Sequence, residues 1–126
     1  MATKQKQTNT VKTSQGRLYV QATFNTTKVT ITDLKGNVLA WCNAGGAGFK
    51  GARRSTPFAA TTVIENGVRK AKDIGISELA VFIKGPGPGR DAAMRVLKTA
   101  GMDLSQIADI TPIPHNGCRP KKPRRV

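Results

Sequence analysis

LAVFIKGPGPGRDAAMRVLKTAGMDLSQIADIT, residues 79–111, reads as strand, loop, helix and strand in succession. Leu79-Ala80-Val81-Phe82-Ile83 is a continuous apolar run, as expected of a strand covered on both faces. Gly85-Pro86-Gly87-Pro88-Gly89 then breaks the pattern with a rigid loop. From Arg90 to Ala100 the residues Ala93, Val96, Leu97 and Ala100 recur at helical spacing, and Gly101 marks a stop. Ile107 to Thr111 predicts the closing strand. Strand–helix–strand implies a right-handed parallel crossover.

Before this unit, Thr56-Pro57 predicts the start of another helix, a capping hydroxyl followed by proline at the first helical position. Phe58, Ala60, Val63, Ile64, Gly67 and Ala71 supply its apolar face through about Lys72, and Gly75 ends it. Earlier still, the periodicity drops to two. Leu18, Val20, Ala22 and Phe24 alternate with Tyr19, Gln21 and Thr23. Val29 and Ile31 alternate with Lys28, Thr30 and Thr32. Asp33-Leu34-Lys35-Gly36-Asn37 connects this run to a third, Val38 to Cys42. The expected fold is α/β, a mixed five-stranded sheet in the order β-β-β-α-β-α-β with helices packed on it. Residues 1–15, polar and basic, form an N-terminal arm; residues 16–111 form the domain. Residues 112–126 form a tail whose four prolines forbid regular structure.

Charge points to the partner. The 126 residues carry 21 Lys and Arg against 7 Asp and Glu, a net +14. Residues 1–64 hold nine basic residues and one acid, Asp33. Residues 65–109 are nearly balanced, with seven basic and six acidic residues. Residues 110–126 hold five basic residues and no acid. Cationic ends on a balanced middle suit a polyanion, and nucleic acid is the commonest one. Lipid is a poorer match, since neither end forms an amphipathic helix with a bulky apolar face. No apolar run approaches the roughly 18 residues of a membrane span, and the first twenty residues offer no signal-peptide core. Cys42 and Cys118 are too few for a disulfide framework and are expected as thiols.

Residues 43–56 mix Gly45, Gly46, Gly48 and Gly51 with Lys50, Arg53 and Arg54 and feed a helix start. They are expected to form a mobile basic loop. Glycines permit close backbone approach to a phosphate, and the free N–H groups of a helix start favour anions. Lys50, Arg53 and Arg54 are therefore expected to contact phosphates. Gly85 to Arg90 lacks the Lys-Ser/Thr pair of a Walker loop, and its prolines remove two donors. It is expected as a rigid turn, with or without a backbone contact from Lys84 or Arg90. His115 and Cys118 alone do not make a zinc site. Asp33, Glu65, Asp73, Glu78, Asp91, Asp103 and Asp109 are scattered, whereas a two-metal nuclease needs converging carboxylates. No cofactor, metal or catalytic residue is expected. Tyr19 and Trp41 could stack bases, but core packing is the expectation for both. The pair Asn116-Gly117 is expected as the main deamidation point, ahead of Asn66-Gly67 in a predicted helix.

Three longer motifs carry a resemblance. Gly48-Phe49-Lys50-Gly51-Ala52-Arg53-Arg54-Ser55-Thr56-Pro57-Phe58-Ala59-Ala60 resembles the basic loop and helix start of the small-subunit ribosomal protein S-eleven family. Ile83-Lys84-Gly85-Pro86-Gly87-Pro88-Gly89-Arg90-Asp91-Ala92-Ala93 is similar to its second signature. Thr111-Pro112-Ile113-Pro114-His115-Asn116-Gly117-Cys118-Arg119-Pro120, followed by a basic cluster, is similar to its third. The resemblance covers residues 16–126. It implies a ribonuclease-H-like sheet without catalytic carboxylates, and a structural, non-enzymatic role on the platform of the small ribosomal subunit. The implied partner is 16S-type rRNA, bridged between helices near the mRNA exit and the Shine-Dalgarno cleft. The implied neighbours are the seventh and eighteenth small-subunit proteins, initiation factor three and mRNA, with no membrane. The implied location is a cytoplasmic ribosome, with an organellar one also open. The rRNA-binding residues expected on this basis are Lys50, Arg53, Arg54, Lys84, Arg90, His115, Asn116, Arg119, Lys121, Lys122, Arg124 and Arg125. A magnesium-dependent nuclease and a free-standing regulatory binder are the competing readings, and co-sedimentation with the small subunit separates all three.

Overall fold

The computed structural model describes residues 14–123. Five strands form one sheet: β1 Gln15–Ala22, β2 Thr27–Thr32, β3 Val38–Asn43, β4 Glu78–Lys84 and β5 Asp103–Asp109. Their order across the sheet is β3-β2-β1-β4-β5. The pairs β1–β2 and β2–β3 are antiparallel; β1–β4 and β4–β5 are parallel. Helices α1, Pro57–Ile74, and α2, Gly89–Thr99, make the two crossovers. This is the mixed α/β architecture expected from the patterning.

The core lies on one face of the sheet. Leu18, Val20, Val29, Ile31, Leu79 and Val81 are buried beneath Ala60, Val63, Ile64 and Val68 of α1 and Ala93, Val96 and Leu97 of α2. The registers place Leu18 beside Ile31 and Val81, and Val20 beside Val29 and Ile83, so these side chains share that face. Double coverage of β4 was therefore the wrong expectation: Leu79, Val81 and Ile83 are buried, while Ala80 and Phe82 alternate onto the other face, half-buried. The run is continuously apolar because the open face is also apolar at those two positions.

Three further differences have structural causes. β1 stops at Ala22 because the Thr23 hydroxyl organises the turn, accepting from the Asn25 and Thr26 amides and donating to the Thr26 carbonyl. Phe24 therefore leaves the apolar alternation and is 72% exposed. β5 begins at Asp103 and ends at Asp109, earlier than Ile107–Thr111. It is an edge strand, mostly exposed, so the β4 ladder sets its limits and its own polarity hides it. Tyr19 and Trp41, both expected in the core, lie on the face opposite the helices, Tyr19 half-buried and Trp41 60% exposed, because both crossovers cover the other side of the sheet.

Candidate nucleic-acid interface

Strand directions collect the functional segments. β1, β3, β4 and β5 all point the same way, since β3 is antiparallel to β2 and β2 to β1. Their carboxyl ends form one edge of the molecule. From that edge emerge residues 44–56 after β3, residues 85–88 after β4, the tail after β5, and the N-termini of both helices. The amino end of β1 lies at the opposite edge, about 26 Å away for eight residues of strand.

The loop after β3 is a built structure, contrary to the mobile loop expected. The Asn43 side chain accepts from the Gly46 amide at 2.6 Å. The Ala47 and Phe49 amides donate to the Asn43 and Ala44 carbonyls, at 3.1 and 3.0 Å. Gly51–Ser55 makes a single 3-10 turn, and Phe49 packs edge-on against Phe58 with ring centroids 5.7 Å apart. Glycine spacing suggested floppiness, but these side-chain and backbone bonds close the loop on itself. Lys50, Arg53 and Arg54 stand exposed on it. Arg54 Nε donates to the Gly51 carbonyl at 3.2 Å, which orients the guanidinium. Thr56 caps α1, its hydroxyl accepting from the Ala59 amide at 3.1 Å, with Pro57 following. The first turn of α1 holds no acid, so the positive end of the helix adds to the three cations.

The glycine-proline loop is a clamp. The Gly87 amide donates to the Ala22 carbonyl at 2.9 Å, and the Gly85 amide to the Thr111 hydroxyl at 3.1 Å. Gly85 takes a φ of +102°, and a Cβ there would collide with the Ala22 carbonyl. Lys84 is exposed beside it. Arg90 is turned inward to the clamp: Nη1 donates to the Gly85 carbonyl at 3.1 Å, and Nη2 meets Asp109 Oδ2 at 2.8 Å. That ion pair is the one salt bridge among the described residues. The Arg90 guanidinium, helped by the Thr111 hydroxyl and amide, holds the Asp109 carboxyl well below the usual range. Together these bonds fix the root of the tail.

Beyond Thr111 the chain is exposed through Pro123. His115, Asn116, Arg119, Lys121 and Lys122 lie along it; Arg124 and Arg125 lie outside the described residues, as do residues 1–13. Asn116 adopts a φ of +59°, a left-handed bend that asparagine tolerates. Cys118 is exposed and Cys42 buried, its Sγ donating to the Val63 carbonyl at 3.2 Å; burial pushes that thiol up. Among the described residues no cluster of three metal-ligating side chains forms, and no helix is long and apolar enough to cross a membrane. Asp33 and Glu78 lie toward the amino edge. The Asp33 carboxylate accepts from the Lys35 and Asn37 amides, both at 2.9 Å, and so organises the hairpin. The Asn37 amide leads in holding it below the usual carboxylate range.

The family described as Ribosomal protein S11 matches residues 16–125. The chain is 58% identical over 112 residues to the small ribosomal subunit protein uS11 of Treponema pallidum (strain Nichols), covering 89% of each. It is 58% identical to the protein of the same name from Borreliella burgdorferi (strain ZS7), covering 89% of this chain and 86% of the relative. To that of Desulfotalea psychrophila (strain LSv54 / DSM 12343) it is 54% identical, covering 89% of each.

Proposed function

The chain belongs to the ribosomal protein S11 family, and from that membership we propose that it holds 16S-type rRNA through the carboxyl edge of its sheet. The coarser part follows from the family: this is a structural, non-enzymatic component of the small ribosomal subunit. The observation that supports the finer reading is the convergence on one edge of Lys50, Arg53, Arg54, Lys84 and the root of the basic tail. Arg90 secures that root and keeps part of its donor set for a phosphate. His115, Asn116, Arg119, Lys121, Lys122, Arg124 and Arg125 extend the contact along the tail.

Mechanistically, each cation that replaces condensed counterions on RNA contributes to affinity without reading sequence. The loop backbone that carries these cations is held by its own hydrogen bonds, and Arg54 is oriented by the Gly51 carbonyl, so binding has less chain to order. The tail enters gaps too narrow for a folded domain. β1 begins with Gln15 at the edge opposite the root of the tail, with the sheet as the rigid spacer between. Extensions from opposite edges can tie together RNA helices that do not touch each other. On this reading the protein bridges platform helices near the mRNA exit and helps form the Shine-Dalgarno cleft. The seventh and eighteenth proteins, initiation factor three and mRNA lie nearby, on a cytoplasmic ribosome.

The test is sucrose-gradient co-sedimentation of the full chain and of Arg53→Ala/Arg54→Ala with small subunits, together with filter binding to 16S-type rRNA. Wild type is expected in the small-subunit peak and the variant to bind rRNA more weakly, whatever the fragment sequence. Loss confined to one base identity would mean that these arginines read bases; equal binding would remove the loop from the interface.

A further inference from the structure

The sheet face opposite the helices carries an ordered array of side chains. One row runs straight across all five strands. Trp41 pairs with Thr30, Thr30 with Tyr19, Tyr19 with Phe82, and Phe82 with Ala108. Tyr19 and Phe82 stack with centroids 5.2 Å apart and planes 20° from parallel. Both rings are half-buried, so part of each remains open to solvent on this face. Trp41, two strands from Tyr19, is 60% exposed.

Polar rows flank the aromatic one, each about 6–7 Å away along the strands. Toward the carboxyl edge lie Asn43, Lys28, Gln21 and Lys84 in register. Toward the amino edge lie Thr32, Arg17, Ala80 and Gln106. Arg17 Nη1 reaches the Tyr19 hydroxyl at 3.5 Å. These three rows hold three cations, Arg17, Lys28 and Lys84, and no acid. A purely apolar partner would strand those charges, and a basic partner would be repelled. A partner with flat π faces and a negative backbone matches both the aromatic row and the basic rows.

We propose that this open face is a second RNA surface, on which unpaired bases of a single-stranded segment stack against Tyr19, Phe82 and Trp41 while Arg17, Lys28 and Lys84 take its phosphates. The proposal rests on the rRNA-binding reading and adds to it a different mode: base stacking on the sheet, as against phosphate contact from the loop and tail. Lys84 stands at the corner where the two surfaces meet, so one RNA strand can run from one to the other.

Trp41 is the chain's single tryptophan and reports on this face directly. The full chain is titrated with an unstructured 12-nucleotide RNA and with a 12-base-pair RNA duplex, reading labelled-RNA anisotropy and Trp41 emission. The single strand is expected to quench Trp41. Tyr19→Leu/Phe82→Leu is expected to weaken single-strand binding about tenfold, the scale of one base–aromatic stack, and to leave duplex binding unchanged. Lys28→Gln, exposed and outside the loop-and-tail set, does not touch the core and is expected to weaken single-strand binding and leave duplex binding unchanged even if the leucine variant fails to fold. Arg53→Ala/Arg54→Ala is expected to weaken both RNAs yet give the same quench at saturation. Full RNA affinity with unaltered Trp41 emission and unaffected face variants would overturn the proposal while leaving the loop-and-tail interface standing. So would Trp41 emission that responds only to deletion of residues 1–13, or only to another small-subunit protein, since the occupant would then be the chain's own arm or a protein. Absence of any RNA binding would overturn both readings.

Discussion

The two edges of the sheet are built from similar parts and do different work. The carboxyl edge collects Lys50, Arg53, Arg54, Lys84 and the tail, against Asp91 and an Asp109 already paired with Arg90. The amino edge collects Asp33, Asp73, Glu78 and Asp103 around Arg17, Lys35 and Lys72. Its cations also have internal uses: Lys72 Nζ donates to the Ala100 carbonyl at 2.7 Å. Charge number separates the edges: the cations of the carboxyl edge and tail far outnumber its two acids, whereas the four acids of the amino edge at least match its cations. At one of them the acids have been removed or tied up, so the cations face outward uncompensated.

The strongest way to break this comparison is to discharge one edge at a time. Deleting Arg119 to Val126 together with Arg53→Ala/Arg54→Ala removes seven cations from the carboxyl edge. Affinity for 16S-type rRNA should fall on the order of a thousandfold, and the slope of log K against log salt should flatten by about 0.7–0.9 for each phosphate no longer neutralised. Lys35→Ala/Lys72→Ala at the amino edge should change neither by more than a small fraction of that. Filter binding across a salt series measures both. Equal losses from the two edges would mean that net charge alone drives binding.

A second contrast is mechanical. Gly85 and Gly36 both have positive φ, +102° and +97°. A Cβ at Gly36 meets nothing within 4 Å, whereas at Gly85 it strikes the Ala22 carbonyl. Gly36→Ala should cost about 1 kcal/mol, the backbone penalty alone. Gly85→Ala should cost about 2–4 kcal/mol, because overpacking adds to it. Denaturant unfolding of the two variants gives the comparison, and similar values would mean that the clamp yields.

Smaller effects are expected from pH. Asp109 is ionised in the folded protein and held below the ordinary carboxylate value of 3.8, first by Arg90. Its contribution is present above about pH 4 and fades as pH falls toward the depressed folded value. Asp109→Asn should therefore unfold at a lower temperature than wild type at pH 6, with the difference shrinking below pH 4. A pH-independent difference in melting would point to shape rather than charge.

The smallest effect separates the domain from the tail chemically. The Gly67 nitrogen lies inside α1, and Asn66 Oδ1 accepts from Arg69 Nη1 at 3.1 Å. Asn116 sits on the exposed tail. In aged free protein, Asn116 should deamidate first by peptide mapping, and rRNA should slow it. Prior modification of Asn66 would show that α1 opens more readily than the tail reaches the cyclising geometry.

Element types were legible because they rest on local causes. The Thr56-Pro57 cap and the Gly75 stop bound α1 in the structure as in the sequence. The turn at Asp33 to Asn37 is set by its own side chains. β5 was misplaced because an edge strand borrows its limits from β4, and Phe24 because a threonine-built turn ended β1 early. The loop at residues 43–56 looked mobile because its order comes from Asn43 and Ala44 backbone and side-chain acceptors, which no periodicity reports. Its cations were legible, since Lys50, Arg53 and Arg54 stand without acids in the sequence and are exposed in the fold.

Residue spacing alone specifies which segments are strand, helix or extension, where the uncompensated cations lie along the chain, and, through three motifs, the family. Those depend on side chains acting within a few positions of themselves. Folding had to decide that loop, clamp and tail share one edge, because that needs the relative directions of β3, β4 and β5, set by ladders between residues far apart in the chain. Folding also decided which face of the sheet the helices cover. Alternation shows that a strand has two faces, but which one is buried is a property of the crossovers. That choice puts half-buried Tyr19 and Phe82 and exposed Trp41 on the open face, three residues that are separate in sequence and brought into one row only by register.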